Sequence, residues 1–69
     1  MRNNLGKIRR MSGGMPQKEL AENAGVTRQT IVAIENGKCN PSVKLALRLA
    51  RVLAVRVEDL FVLTEEDHE

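Results

Sequence analysis

Residues 17–37, QKELAENAGVTRQTIVAIENG, decide the fold. Leu20, Ala21 and Ala24 stand at i, i+1 and i+4, which places them on one stripe of a helix. Gly25 interrupts the stripe where a left-handed residue would close that helix. Thr27 can then cap a second helix, in which Ile31 and Ile34 return at helical spacing. Two helices of roughly seven to ten residues, joined by so tight a turn, cannot stack antiparallel. They must cross steeply.

At about 100° per residue from Ile31, the second of these helices places Thr27, Ile31 and Ile34 on its inner face. Gln29, Val32, Ala33 and Asn36 point the opposite way, with Arg28 and Thr30 on the flanks. That outer face is small, uncharged and able to form hydrogen bonds, unlike the Lys/Glu mixture of an ordinary solvated helix. Asn36-Gly37 is a helix stop. At the other end of the stretch, Gln17 falls in a first turn whose backbone N–H groups are free to meet a phosphate. Pro16 precedes it as a rigid elbow that supplies no side-chain cap, and Met15 can pack back against the helix.

Further out on the N-terminal side, Leu5 and Ile8 form the apolar stripe of a first helix spanning about residues 4–12, with Lys7, Arg9 and Arg10 on its other sides. Asn3 or Asn4 can cap it, and Ser12-Gly13-Gly14 ends it. On the C-terminal side, Lys38-Cys39-Asn40-Pro41 is a loop into a fourth helix from Val43 to Ala54. Asn40 with Pro41, or Ser42, can start this helix. Its one polar stripe is Lys44, Arg48 and Arg51, so it is expected to be surrounded on most sides. A short helical turn over Glu58 to Phe61 follows, and Phe61-Val62-Leu63-Thr64 is β-prone enough to pair with the N-terminal arm.

Composition sets the limits. Sixty-nine residues with one aromatic, Phe61, allow one small domain over residues 1–69 with an aliphatic core. Such a chain buries only about 60% of its unfolded surface, so a partner subunit would add needed stability. No apolar run approaches the ~20 residues of a membrane span, and no signal peptide is evident, which makes a soluble cytoplasmic protein the expectation. Cys39 is the one cysteine, so neither an internal disulfide nor a multi-cysteine metal site can form. His68 stands by itself in the acidic tail. No nucleophile–base pairing, phosphate-cradling glycine loop or metal spacing appears, which argues against an enzyme and against a cofactor. Charge is unevenly divided. Residues 1–57 carry eleven Lys or Arg against three acids, Glu19, Glu22 and Glu35, whereas residues 58–69 carry six acids and no Lys or Arg. The basic body suits a polyanion.

These residues resemble the phage-repressor-type (Cro/C1, or XRE) helix-turn-helix transcriptional regulators, in particular their compact members. The likeness is carried by QKELAENAGVTRQTIVAIENGK and NPSVKLALRLARVLAVRVEDLF, about two-thirds of the chain, with Gln17, Leu20, Ala21, Gly25, Val26, Ile31 and Ile34 in the family's order and spacing. Pro16 stands where the family usually has Ser or Thr. Gly14 looks like an extra residue, and Ala54 and Arg56 replace a usual Gly and a capping Ser.

The resemblance implies an all-α, five-helix, lambda-repressor-like DNA-binding domain with its helix-turn-helix core at 17–37, to which the termini can add a small two-stranded sheet. It implies double-stranded DNA as partner, with the third helix in the major groove. Base reading then falls to Arg28, Gln29 and Ala33, with Thr30 and Val32 alongside; Arg suits guanine, Gln adenine, and Val or Ala a thymine methyl. Gln17, Thr27, Lys38 and Asn40 would position phosphates, with Lys44 a weaker candidate. Arg9 or Arg10 would pair with Glu35 as a structural ion pair. A homodimer formed through residues 57–69, no membrane and no small-molecule ligand complete the expectation. The activity implied is regulation by occupying a near-palindromic operator; the alternative is the antitoxin half of a toxin–antitoxin pair.

Overall fold

The computed structural model describes residues 1–65. The acidic residues 66–69, with His68, lie outside the described residues. Five helices form in the expected order: α1 (Leu5–Met11), α2 (Gln17–Ala24), α3 (Arg28–Glu35), α4 (Val43–Leu53) and α5 (Val57–Leu60). Two short strands, β1 (Arg2–Asn3) and β2 (Phe61–Val62), pair antiparallel with Arg2 opposite Val62 and Asn3 opposite Phe61.

Local chemistry explains most boundaries. The Thr27 hydroxyl accepts from the Thr30 N–H at 3.3 Å to start α3, and the Ser42 hydroxyl accepts from the Leu45 N–H at 3.1 Å to start α4. Ser42, and not Asn40 with Pro41, is therefore the cap. Three helices end the same way. Gly25, Gly37 and Ala54 all take positive φ, and the next N–H reaches back five residues: Val26 to Ala21, Lys38 to Ala33 and Val55 to Ala50, at 2.9–3.0 Å. α5 starts without a side-chain acceptor at Arg56, but the Asp59 carboxylate accepts from the Arg56 N–H at 3.0 Å, which supplies one half of a reciprocal cap.

The core is aliphatic, as composition demands. Leu5, Leu20, Ala21, Ala24, Ile31, Ile34, Leu49, Ala50, Leu53 and Leu60 form it, with Ile8, Met15, Val26, Leu45, Val52, Val55, Val57 and Phe61 packed around them. Two expectations need correction. Thr27 is exposed and not part of the inner face of α3, because its hydroxyl turns to the helix end it caps. α4 buries one face only, through Ala46, Leu49, Ala50 and Leu53, and leaves Val43 77% and Leu47 55% exposed beside the basic stripe.

The N-terminal arm is tied in firmly. The Asn3 side chain donates to the Ile34 carbonyl at 2.9 Å and accepts from the Leu5 N–H at 3.3 Å. The Asn4 N–H donates to the Leu60 carbonyl at 2.7 Å. The N-terminal arm is thus anchored to the far end of α3 and to the end of α5, leaving the first turn of α3 clear.

Candidate nucleic-acid interface

Gly25, with φ 74° and ψ 31°, turns the chain between α2 and α3 in the left-handed conformation that costs glycine nothing. α3 buries Ile31 and Ile34 in the core, and this presents its first turn outward. Arg28 and Gln29 are exposed there, and no hydrogen bond or ion pair of the described residues engages either side chain. Thr30, Val32 and Ala33 are half-buried along the same surface. The Thr30 and Thr27 hydroxyls are 3.1 Å apart, so Thr27 both caps α3 and fixes its neighbour.

The four residues expected around this surface differ in freedom. Lys38 and Asn40 are exposed in the loop after α3, and the Lys38 backbone is held by its bond to the Ala33 carbonyl. Gln17 is half-buried, and its side-chain amide donates to Glu35 Oε1 at 3.1 Å. At the start of α2 the Leu20 N–H bonds the Pro16 carbonyl, while Pro16 offers no side-chain cap. No hydrogen bond of the described residues engages the N–H groups of Gln17, Lys18 and Glu19 in the first α2 turn.

Behind this surface lies a nearly buried charge cluster. Arg9 Nε donates to Glu35 Oε2 at 2.7 Å, with the two side chains 11% and 8% exposed. Arg9 Nη2 reaches Glu35 Oε1 at 3.2 Å, and Nη1 donates to the Met15 carbonyl at 2.7 Å. Arg9, not Arg10, is the partner of Glu35. α1 comes so close that a Cβ on Gly6 would stand 3.0 Å from Glu35 Oε1 and 3.2 Å from Arg10 Nη1. Sequence reasoning found the ion pair but missed its links to Gln17, Met15 and Gly6. No local signal in the sequence could have found these links, because Gln17, Met15 and Gly6 lie far from Glu35 in the chain.

The chain can now be compared with known proteins. A helix-turn-helix family model matches residues 5–60. The chain belongs to the Cro/C1-type helix-turn-helix family. Among its relatives is a protein from Methanocaldococcus jannaschii, 43% identical over 67 residues that cover 97% of this chain and 100% of the relative. Another, from Bacillus subtilis, is 42% identical over 67 residues with the same coverage. A third, from Archaeoglobus fulgidus, is 54% identical over 54 residues, covering 78% of this chain and 77% of its own. All three carry the name uncharacterized HTH-type transcriptional regulator. Among the described residues, no helix is long and apolar enough to cross a membrane.

Proposed function

We propose that this chain is a sequence-specific double-stranded DNA-binding transcriptional regulator, acting as a homodimer that represses by occupying a near-palindromic operator. The observation that carries this reading is the pair of unengaged side chains, Arg28 and Gln29, on the capped first turn of a helix whose other face is locked in the core. An Arg can donate two hydrogen bonds to guanine O6 and N7, and a Gln can bond adenine N6 and N7; each such pair discriminates by about 1–3 kcal/mol. Thr30, Val32 and Ala33 line the groove-facing side next to them. Thr27, Lys38, Asn40 and the start of α2 at Gln17 set the phosphate register, contacts that place the helix without reading sequence.

The dimer reading is supported by apolar exposure at the other end of the molecule. Val62 in β2 is 41% and Leu63 just beyond it 79% exposed, and a second copy would cover them. A two-fold dimer would present two α3 helices to half-sites about 34 Å apart.

The test is a selection of bound sequences from a random DNA pool, followed by a salt titration of the parent and of the Arg28→Ala/Gln29→Ala variant. The parent should select a two-fold symmetric site. The variant should keep weak, salt-sensitive binding and lose site preference. A variant that still selects the parental site would show that another surface reads the DNA.

A further inference from the structure

We propose that Glu35 is a positioning residue for DNA binding: its carboxylate, neutralised by Arg9, holds the Gln17 amide at the start of α2 so that the amide's second hydrogen is presented to a phosphate. The proposal rests on the DNA-binding reading and assigns Glu35 a role beyond an ion pair that holds helices together.

The Gln17 amide nitrogen carries two hydrogens, and one is spent on Glu35 Oε1 at 3.1 Å. An unrestrained glutamine at a helix start samples many rotamers, and freezing one on binding costs affinity. Here the freezing is done before DNA arrives. The carboxylate that does it is itself fixed. Arg9 binds both of its oxygens, at 2.7 and 3.2 Å, and the Gly6 backbone closes the remaining side, since even a Cβ there would lie 3.0 Å from Oε1. An acid beside a phosphate site would ordinarily repel the backbone of DNA. Pairing with Arg9 cancels that charge, so Glu35 orients a phosphate ligand without opposing the phosphate. Arg9 also bonds the Met15 carbonyl at 2.7 Å, pinning the elbow before Pro16. That elbow is where a capping side chain is missing. One arginine therefore secures both the carboxylate and the chain entering α2.

Glu35→Ala alone would be ambiguous, because it leaves Arg9 buried without a counter-ion and lowers folding and binding together. The better variant is Arg9→Met/Glu35→Leu, which exchanges the buried ion pair for apolar side chains, a replacement that often preserves stability. Affinity for the selected operator is measured by fluorescence anisotropy at a temperature where melting curves show every variant folded. In the parental background, Gln17→Ala should weaken binding about tenfold and leave the salt slope nearly unchanged, because a neutral amide releases no counter-ion. In the Arg9→Met/Glu35→Leu background, binding should start about tenfold weaker, and Gln17→Ala should change it less than about twofold. Equal effects of Gln17→Ala in the two backgrounds, or none in either, would overturn the proposal. A measurement on the unmodified protein is independent of variant folding: nitrogen-15 relaxation of the Gln17 side-chain amide in the absence of DNA. Order close to that of the backbone supports the proposal, and free amide motion overturns it. A parent that binds no preferred DNA sequence would instead refute the DNA-binding reading on which the proposal rests, while the amide order would still report on the Glu35 contact.

Discussion

At the scale of single residues, the helix ends show how little chemistry is needed to set a boundary and where this chain departs from the cheapest solution. Gly25, Gly37 and Ala54 close α2, α3 and α4 with the same backward hydrogen bond. Ala54 does so at φ 56°, where its Cβ crowds the following carbonyl. Ala54→Gly removes that crowding but loosens the unfolded chain, and the first effect is the larger of the two. We expect a net gain of about 0.5–1 kcal/mol, seen as a rise of about 2–8 °C in Tm by calorimetry for a domain of this size. An unchanged or lowered Tm would mean that Ala54 is not strained. The Thr27 cap was legible, and Ser42 was one of two starts left open for α4, because Ser and Thr oxygens at a helix start reach a backbone N–H two or three residues on. The exposure of Thr27 was not legible, since helical phase assigns a direction to the cap residue as if it were already inside the helix.

At the scale of elements, α3 is held from three sides while its first turn stays free. Its core face rests on α2 through Ile31 and Ile34, its last turn is gripped by Glu35 through Arg9, and the Ile34 carbonyl accepts from Asn3. The last contact makes β1 a brace for α3. Asn3→Ala deletes the bond to Ile34 and the one from Leu5, worth together about 1–3 kcal/mol. Thermal melts should show that loss, while the preferred DNA site, which the proposed function assigns to Arg28 and Gln29 at the opposite end of α3, should not change. A shifted site preference would mean that the arm touches DNA itself. The strands were foreseen from the β-prone stretch at 61–64, but not the brace, because Asn3 and Ile34 are 31 residues apart and no local pattern links them. The choice between Arg9 and Arg10 was likewise open until the Ser12-Gly13-Gly14 turn brought the Met15 carbonyl to Arg9 Nη1.

At the scale of the whole molecule, a small aliphatic core leaves little stability to spare, and apolar surface remains uncovered at several places among the described residues. One is Val62 in β2 with Leu63 just beyond it; others are the Val43 and Leu47 flank of α4 and Met11 at the end of α1. The proposed dimer uses the first. Leu63→Asp should weaken self-association by sedimentation analysis and lower affinity for a two-half-site operator toward that for a single half-site. The monomer's own folding should be nearly unaffected, because Leu63 contributes almost nothing to the core. Unchanged association would place the dimer contact elsewhere. The separation of charge into a basic body and an acidic end acts at this scale too, and DNA binding through the basic body should weaken as salt rises.

The sequence by itself determined the helix count and order, the glycine turn, the aliphatic core and the face of α3 that looks outward. These depend on local propensity and on periodicity, which are properties of neighbouring residues. Tertiary structure alone decided which arginine meets Glu35, that Gln17 shares that carboxylate, that a side chain at Gly6 would press on Glu35 and Arg10, and that α4 stays open along Val43 and Leu47. Each of these is a distance between segments remote in the chain. Such distances are set by how the helices pack.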